Sequence, residues 1–222
     1  TGIDTVYGGS GADLLHDDGL DQIYGGDGMD TVVTANMTGV DFDRFHDVVT
    51  ITQNGALVVR GTAADENLSG TSGSDVIFGE GGNDYLIGLG SGADTFYGGD
   101  GNDTISGGIG EDVLVGGTGS DQLFGHGGDD SLYGGGDADT FVLSGSAFGN
   151  DTIFDFGGGS DKIDVSALGI SGGSLDNSGD GNISAADTIA AVNGSGDLEI
   201  SFSGGTLTIT GVSAIDVSDF IF

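Results

Sequence analysis

The chain has 222 residues, with 36 acidic side chains against 3 basic ones, a formal net charge of −33, and 49 glycines without proline or cysteine. So acidic a surface repels phosphate backbones and anionic headgroups, which argues against nucleic acid and membrane surfaces as partners and leaves cations. The lack of cysteine excludes a disulfide framework, and no apolar run reaches the length of a transmembrane helix.

Glycine at this level usually reads as disorder. A hydrophobic fraction of 36% and a fixed glycine spacing argue instead for an ordered repeat. The opening Thr1-Gly2-Ile3-Asp4 falls inside a repeat and carries no signal peptide, as expected of a chain cut from a longer protein.

In chain order, the first element is a short block, residues 1–33, with aspartates Asp4, Asp13, Asp21 and Asp30 and apolar partners Val6, Leu15, Ile23 and Val32. The step from Asp13 to Asp21 is eight residues rather than nine. Residues 34–69 interrupt the pattern. Val48–Thr52 and Ala56–Arg60 flank Asn54-Gly55, which predicts a β-hairpin with a tight turn, read as a spacer between two blocks.

The main block, residues 70–143, places aspartates at Asp75, Asp84, Asp94, Asp103, Asp112, Asp121, Asp130 and Asp139, nine residues apart except for a step of ten after Asp84. Two residues after each stands one large apolar side chain: Ile77, Leu86, Phe96, Ile105, Leu114, Leu123, Leu132 and Phe141. The unit is G-G-x-G-x-D-x-U-x, with U the apolar residue. A flexible linker has no reason to hold an aspartate and an apolar residue in register over eight units. The last three positions predict a very short strand with U inward, and the first six a turn. The turn glycines, among them Gly99, Gly101, Gly108, Gly110, Gly117 and Gly119, permit positive φ and bring carbonyls near an ion. Two units make one coil, so aspartates two units apart stack on one edge. Their carboxylates and the turn carbonyls supply about six oxygens, a set suited to calcium.

The pattern resembles the RTX (repeats-in-toxin) family. That resemblance implies a right-handed parallel β-roll, several calcium ions, export by a type I secretion apparatus, and a place outside or on the surface of a Gram-negative bacterium. Eight units give six pairs two units apart, hence six inter-coil sites. Departures are local: Asp137 stands at the fourth position, where the glycine after the Gly-Gly pair belongs, His126 enters one turn, and the ten- and eight-residue units are expected to distort one site each.

Residues 144–222 predict a β-rich cap. Asn150–Phe156 and Gly159–Ser166 look like the segment closing RTX rolls, and Asp155 and Asp161 join the candidate ligands. Residues 196–202 and 206–210 alternate as two antiparallel strands that would cover the open end of a solenoid. Between them and the roll, Asp176, Ser178, Asp180, Asn182, Ser184 and Asp187 take positions 1, 3, 5, 7, 9 and 12 of an EF-hand-type loop, with Gly181 at the sharp turn. This resembles the half EF-hand of dockerins, and predicts a short helix from Ser184 to Val192 ended by Asn193-Gly194. The terminal Asp219-Phe220-Ile221-Phe222 resembles a type I secretion signal.

Catalytic residues are not found. His16, His46 and His126 form no H-E-x-x-H, no G-x-S-x-G elbow opens a helix, and the glycine turns lack the Gly-Lys of a phosphate loop. Two further readings remain: a module binding extracellular polysaccharide or another surface, and the C-terminal part of a secreted protease, lipase or epimerase.

Overall fold

The computed structural model describes residues 56–157, 160–170 and 190–222, together with the strands at 5–10, 14–17, 22–27, 30–34, 49–53 and 182–184. In chain order the strands are β1 (Thr5–Ser10), β2 (Leu14–Asp17), β3 (Gln22–Asp27), β4 (Asp30–Thr34), β5 (Val49–Gln53), β6 (Ala56–Arg60), β7 (Asn67–Ser69), β8 (Val76–Gly81), β9 (Tyr85–Ile87), β10 (Thr95–Asp100), β11 (Thr104–Ile109), β12 (Val113–Thr118), β13 (Gln122–Gly127), β14 (Ser131–Gly136), β15 (Thr140–Val142), β16 (Gly149–Ile153), β17 (Lys162–Asp164), β18 (Asn182–Ser184), β19 (Ala190–Val192), β20 (Leu198–Phe202), β21 (Gly205–Ile209), β22 (Ala214–Asp216) and β23 (Phe220–Ile221).

Alternate strands pair in parallel: β8, β10, β12 and β14 lie in a 12-stranded sheet, and β7, β9, β11, β13 and β15 in a 7-stranded one. This is an all-β parallel solenoid. Each coil contributes one strand to each sheet, and the register places Phe96 beside Leu114 and Ile105 beside Leu123. The nonapeptide period explains this arrangement, because two units return the chain to its starting edge.

The eight predicted apolar residues form the core. Ile77, Leu86, Phe96, Ile105, Leu114, Leu123 and Phe141 have no exposed surface and Leu132 has 1%. In β12 the burial alternates so that Leu114 and Gly116 point inward. One large side chain per strand thus fills the space between the sheets, each contributing about 2–3 kcal/mol by burial. The strands are longer than the expected three residues. Most run six, because the first two glycines of the next unit stay in the ladder, as in the pairing of Gly99 with Gly117. The extra residue of the ten-residue unit is absorbed in the turn after β9, which stops at Ile87.

The hairpin forms as predicted, with β5 antiparallel to β6 and Gln53 opposite Ala56. It is built into the large sheet, since β5 pairs with β4 and β6 with β8, both in parallel. Unit Gly61–Ser69 stacks on the roll through β7, with Leu68 buried.

At the other end, the predicted strands are β20 and β21, an antiparallel pair whose Leu198, Ile200, Leu207 and Ile209 are fully buried. The predicted helix from Ser184 to Val192 is corrected where it is described. Ser184 ends β18, which pairs with β22, and Ala190–Val192 form β19, antiparallel to β20. The reason lies in Asn193. Its side-chain oxygen accepts from the N–H groups of Ser195 and Asp197 at 2.9 and 3.1 Å, so Asn193-Gly194 opens a hairpin turn rather than ending a helix. Among the described residues the only helical segments are 3-10 turns at Ser166–Leu168 and Val217–Asp219, and no helix is long and apolar enough to cross a membrane. The terminal residues take part in the cap: β23 extends the 7-stranded sheet beside β17, with Phe220 buried.

Because each strand supplies one core side chain, truncating one is severe. Leu114→Ala is expected to destabilise the calcium-loaded protein by about 2–5 kcal/mol, read from the urea midpoint, whereas Thr104→Ala on the outer face leaves the midpoint nearly unchanged.

Candidate metal centre

The aspartates of the main block stand at the turn just before each strand and are buried, although they are charged side chains on the rim of a thin fold. They form two ladders. In one, Oδ1 of Asp75, Asp94, Asp112, Asp130 and Asp151 accepts from the backbone N–H of Leu57, Asp75, Asp94, Asp112 and Asp130 respectively, at 2.7–3.2 Å. In the other, Oδ1 of Asp84, Asp103, Asp121, Asp139 and Asp161 accepts from the N–H of Glu66, Asp84, Asp103, Asp121 and Asp139, at 2.8–3.1 Å. Each carboxylate therefore ties its coil to the previous one. The ten-residue unit does not break this link, since Asp94 still binds the Asp75 N–H at 2.7 Å.

The second oxygen behaves differently. Oδ2 of Asp84, Asp103, Asp112, Asp121, Asp130 and Asp139 is buried with no hydrogen-bond partner. Native folds rarely leave such an atom bare without a ligand or ion to explain it. These oxygens face the space left by the missing side chain of the first turn glycine. A methyl group built on Gly98 would collide with Asp103 Oδ2 and lie 2.5 Å from the Gly116 carbonyl oxygen. On Gly79 it would meet Asp84 Oδ2 and lie 2.5 Å from the Gly98 carbonyl, and on Gly116 it would meet Asp121 Oδ2 and lie 2.6 Å from the Gly134 carbonyl. The result is an oxygen-lined cradle repeated from coil to coil. Its donors are hard oxygens, one carboxylate and neighbouring carbonyls, which fit a calcium ion. Among the described residues no three Asp, Glu or His side chains converge on one point, so backbone carbonyls must supply most of any cation's shell.

Electrostatics agree. Burial first, then repulsion from neighbouring aspartates, pushes Asp112 and Asp121 up to about 7 and Asp151 up to about 8, against the hydrogen bonds that favour the charged form. Burial likewise lifts Asp84, Asp130 and Asp139 to about 6. Carboxylates in such surroundings take up either protons or cations.

The other predicted ligands divide. Gly99, Gly101, Gly108, Gly117 and Gly119 take positive φ of 111–132°. A Cβ on Gly117 would strike the Gly99 carbonyl, and one on Gly119 the Gly101 carbonyl, so these oxygens point along the stack. A Cβ on Gly110 would strike the Gly92 carbonyl. The carbonyls that share a cradle with Oδ2 belong to the first glycine, in Gly98, Gly116 and Gly134, which the motif alone did not single out. Asp155 accepts from the N–H groups of Gly134 and Gly135, both at 2.9 Å, while Asp161 Oδ2 accepts from Gly157 N–H at 2.7 Å. Asp13, Asp21, Asp176, Ser178, Asp180 and Asp187 lie outside the described residues, and Asp30 and Asn182 are described as the first residues of β4 and β18.

Two contributors were missed. Glu66 occupies the aspartate position of unit Gly61–Ser69, nine residues before Asp75, and the same arithmetic places Leu68 nine before Ile77. The residue before the acidic one also matters: Asp65, Asn83 and Asn102 accept through Oδ1 from the N–H of Asn83, Asn102 and Ser120 at 2.7–2.9 Å, a third side-chain ladder beside the one through Asp84 and Asp103.

Compared with known proteins, the chain matches the family described as RTX calcium-binding nonapeptide repeat in four copies, at residues 1–32, 60–90, 89–114 and 106–141. No curated protein sequence matches it. Among solved structures it is similar to the extracellular lipase LipA from Serratia marcescens, with 19% identity, a TM-score of 0.30, and coverage of 100% of this chain and 38% of the lipase. It is also similar to the AlgE6R3 subunit of the mannuronan C5-epimerase from Azotobacter vinelandii, with 26% identity, a TM-score of 0.24, and coverage of 73% of this chain and 80% of the subunit. The chain thus spans well under half of the lipase.

Two outcomes follow. Gly98→Ala fills the cradle between Asp103 and Gly116 and is expected to remove calcium binding there, seen as one ion fewer by metal analysis. In protein freed of divalent cations, the raised carboxylates contribute stability below the unfolded pKa of about 4, and this is lost as pH rises through 6–8. The folded fraction without calcium, read by circular dichroism, is therefore expected to be higher at pH 5 than at pH 8, and calcium affinity to rise over the same interval.

Proposed function

Since the chain belongs to the family of RTX calcium-binding nonapeptide repeats, we propose that it is a folding module operated by calcium. The supporting observation is the row of six buried carboxylate oxygens without partners. Without a cation, the ladders bring like charges together inside a glycine-rich chain whose backbone entropy already opposes order. The protein then stays unfolded at neutral pH. Calcium entering the cradles supplies the missing partner to each Oδ2 and links coil to coil, so binding and folding become one event. At a hundred times the dissociation constant each independent site adds about 2.7 kcal/mol, and a few such sites equal the stability of an ordinary domain, about 5–15 kcal/mol.

The biological use follows from calcium's distribution. In a cytoplasm poor in calcium the chain remains extended and passes a type I export channel. In the millimolar calcium outside a Gram-negative cell it folds, opposing return and stabilising the parent protein. The module has no catalytic task in this reading. In the same reading, the EF-hand-type sequence from Asp176 to Asp187 supplies a further calcium ligand set.

A circular dichroism titration tests the proposal. Protein dialysed free of divalent cations at pH 7.5 is expected to lack β-structure and to gain it cooperatively with calcium but not with equal magnesium, whose smaller octahedral shell suits carbonyl cradles poorly. Asp121→Asn is expected to raise the calcium needed at the midpoint. Complete β-structure in chelator at neutral pH would sink the proposal.

A further inference from the structure

The six bare oxygens do not include every member of the ladders. The first acidic residue of each is closed by a threonine. In the turn Gly70–Asp75, Thr71 takes the position that Gly99 and Gly117 hold elsewhere. Its N–H and hydroxyl both donate to Asp75 Oδ2, the hydroxyl at 3.0 Å and also at 3.1 Å to Oδ1. The same hydroxyl accepts from Gly73 N–H at 3.1 Å. In the turn Gly61–Glu66, Thr62 repeats the arrangement: its hydroxyl donates to Glu66 Oε1, its N–H donates to Oε2 at 3.1 Å, and Ala64 N–H donates to the hydroxyl at 3.2 Å. Neither threonine is among the residues of positive φ, whereas Glu80 and His126, which hold the same position in turns with bare oxygens, adopt φ of 76° and 71°.

We infer that these two turns are end stops that take no calcium: in each, the threonine's donors point where a cation would otherwise have to neutralise the carboxylate. The inference rests on the calcium reading above and assigns where loading begins, with Asp84 on one ladder and, on the other, beyond Asp75, where the first bare oxygen belongs to Asp112. The physical logic is that of satisfaction. A carboxylate whose oxygens already accept from a threonine's N–H and hydroxyl gains little from an ion that must displace those donors, whereas a bare oxygen gains its only partner. Two independent turns, one on each ladder, share the device and use an aspartate in one case and a glutamate in the other. From unit Gly61–Ser69 onward, the ladders therefore start on rungs closed by hydrogen bonds from the chain itself and continue on rungs whose closure comes from solution.

The threonine position makes the inference reversible. Thr71→Gly gives residues 70–75 the full G-G-x-G-x-D pattern, since Gly70, Gly73 and Asp75 already stand in place. Equilibrium dialysis of the full chain with calcium, followed by metal analysis, is expected to give one more ion per chain for Thr71→Gly than for the parent. Asp75→Asn is expected to leave the number unchanged, while Asp103→Asn lowers it by one. A loss of one ion in Asp75→Asn equal to that in Asp103→Asn overturns the inference and leaves the calcium reading standing. A parent chain that binds no calcium overturns both. Should Thr71→Gly fail to fold, the comparison of Asp75→Asn with Asp103→Asn decides alone.

Discussion

The whole roll turns on an aspartate carboxylate used in two halves. Oδ1 accepts a backbone N–H from the coil before, and Oδ2 is carried into the interior beside a glycine with nothing to bind. A buried acceptor left bare costs about 1–3 kcal/mol, and more when charged. Hydrogen bonds of the sheets cannot remove that cost, because the strands satisfy their own backbone groups. The apolar core cannot offset it easily either, since each strand supplies one large side chain. The molecule is therefore poised so that the missing partner decides whether the coils stack.

Glycine serves this arrangement in two distinct ways. The first turn glycine, such as Gly98, faces inward, and its lack of a side chain is what opens the cradle. The second, such as Gly99 at φ 111°, lets the chain turn through a conformation that other residues rarely adopt. Where Glu80 and His126 replace it, the backbone keeps the left-handed conformation at some cost in strain. Glu80 recovers part of this through its ion pair with Arg60 at 2.6 Å, a contact that also fastens the hairpin to the first coils.

Most of the fold was legible because the period itself is the structure. An aspartate and an apolar residue in fixed register specify which side chains face inward and which coils adjoin, and the alternation at 196–210 specified the cap strands. What escaped the sequence was of two kinds. Glu66 and Leu68 hold the register one unit earlier than the run of aspartates, but the change from aspartate to glutamate and the loss of turn glycines hid the unit. The segment Ser184–Val192 contains helix formers, but Ser184 is held by a distant partner, Ala214, and Ala190–Val192 pair with Leu198–Ile200 across the Asn193 turn. The closure of Asp75 by Thr71 could not be seen in a consensus, because it is the departure from the consensus that makes it.

The pairing of every second strand has a consequence for how such a chain changes length. An 18-residue segment, for example residues 98–115, is one complete winding, with one strand for each sheet. Removing or duplicating it would leave every remaining residue on its own sheet, so copy number can drift in steps of 18. An insertion or deletion of a single nonapeptide would instead transfer everything beyond it to the opposite face, and the outer column of Phe78, Tyr97 and Tyr133 would be split between two sides of the molecule.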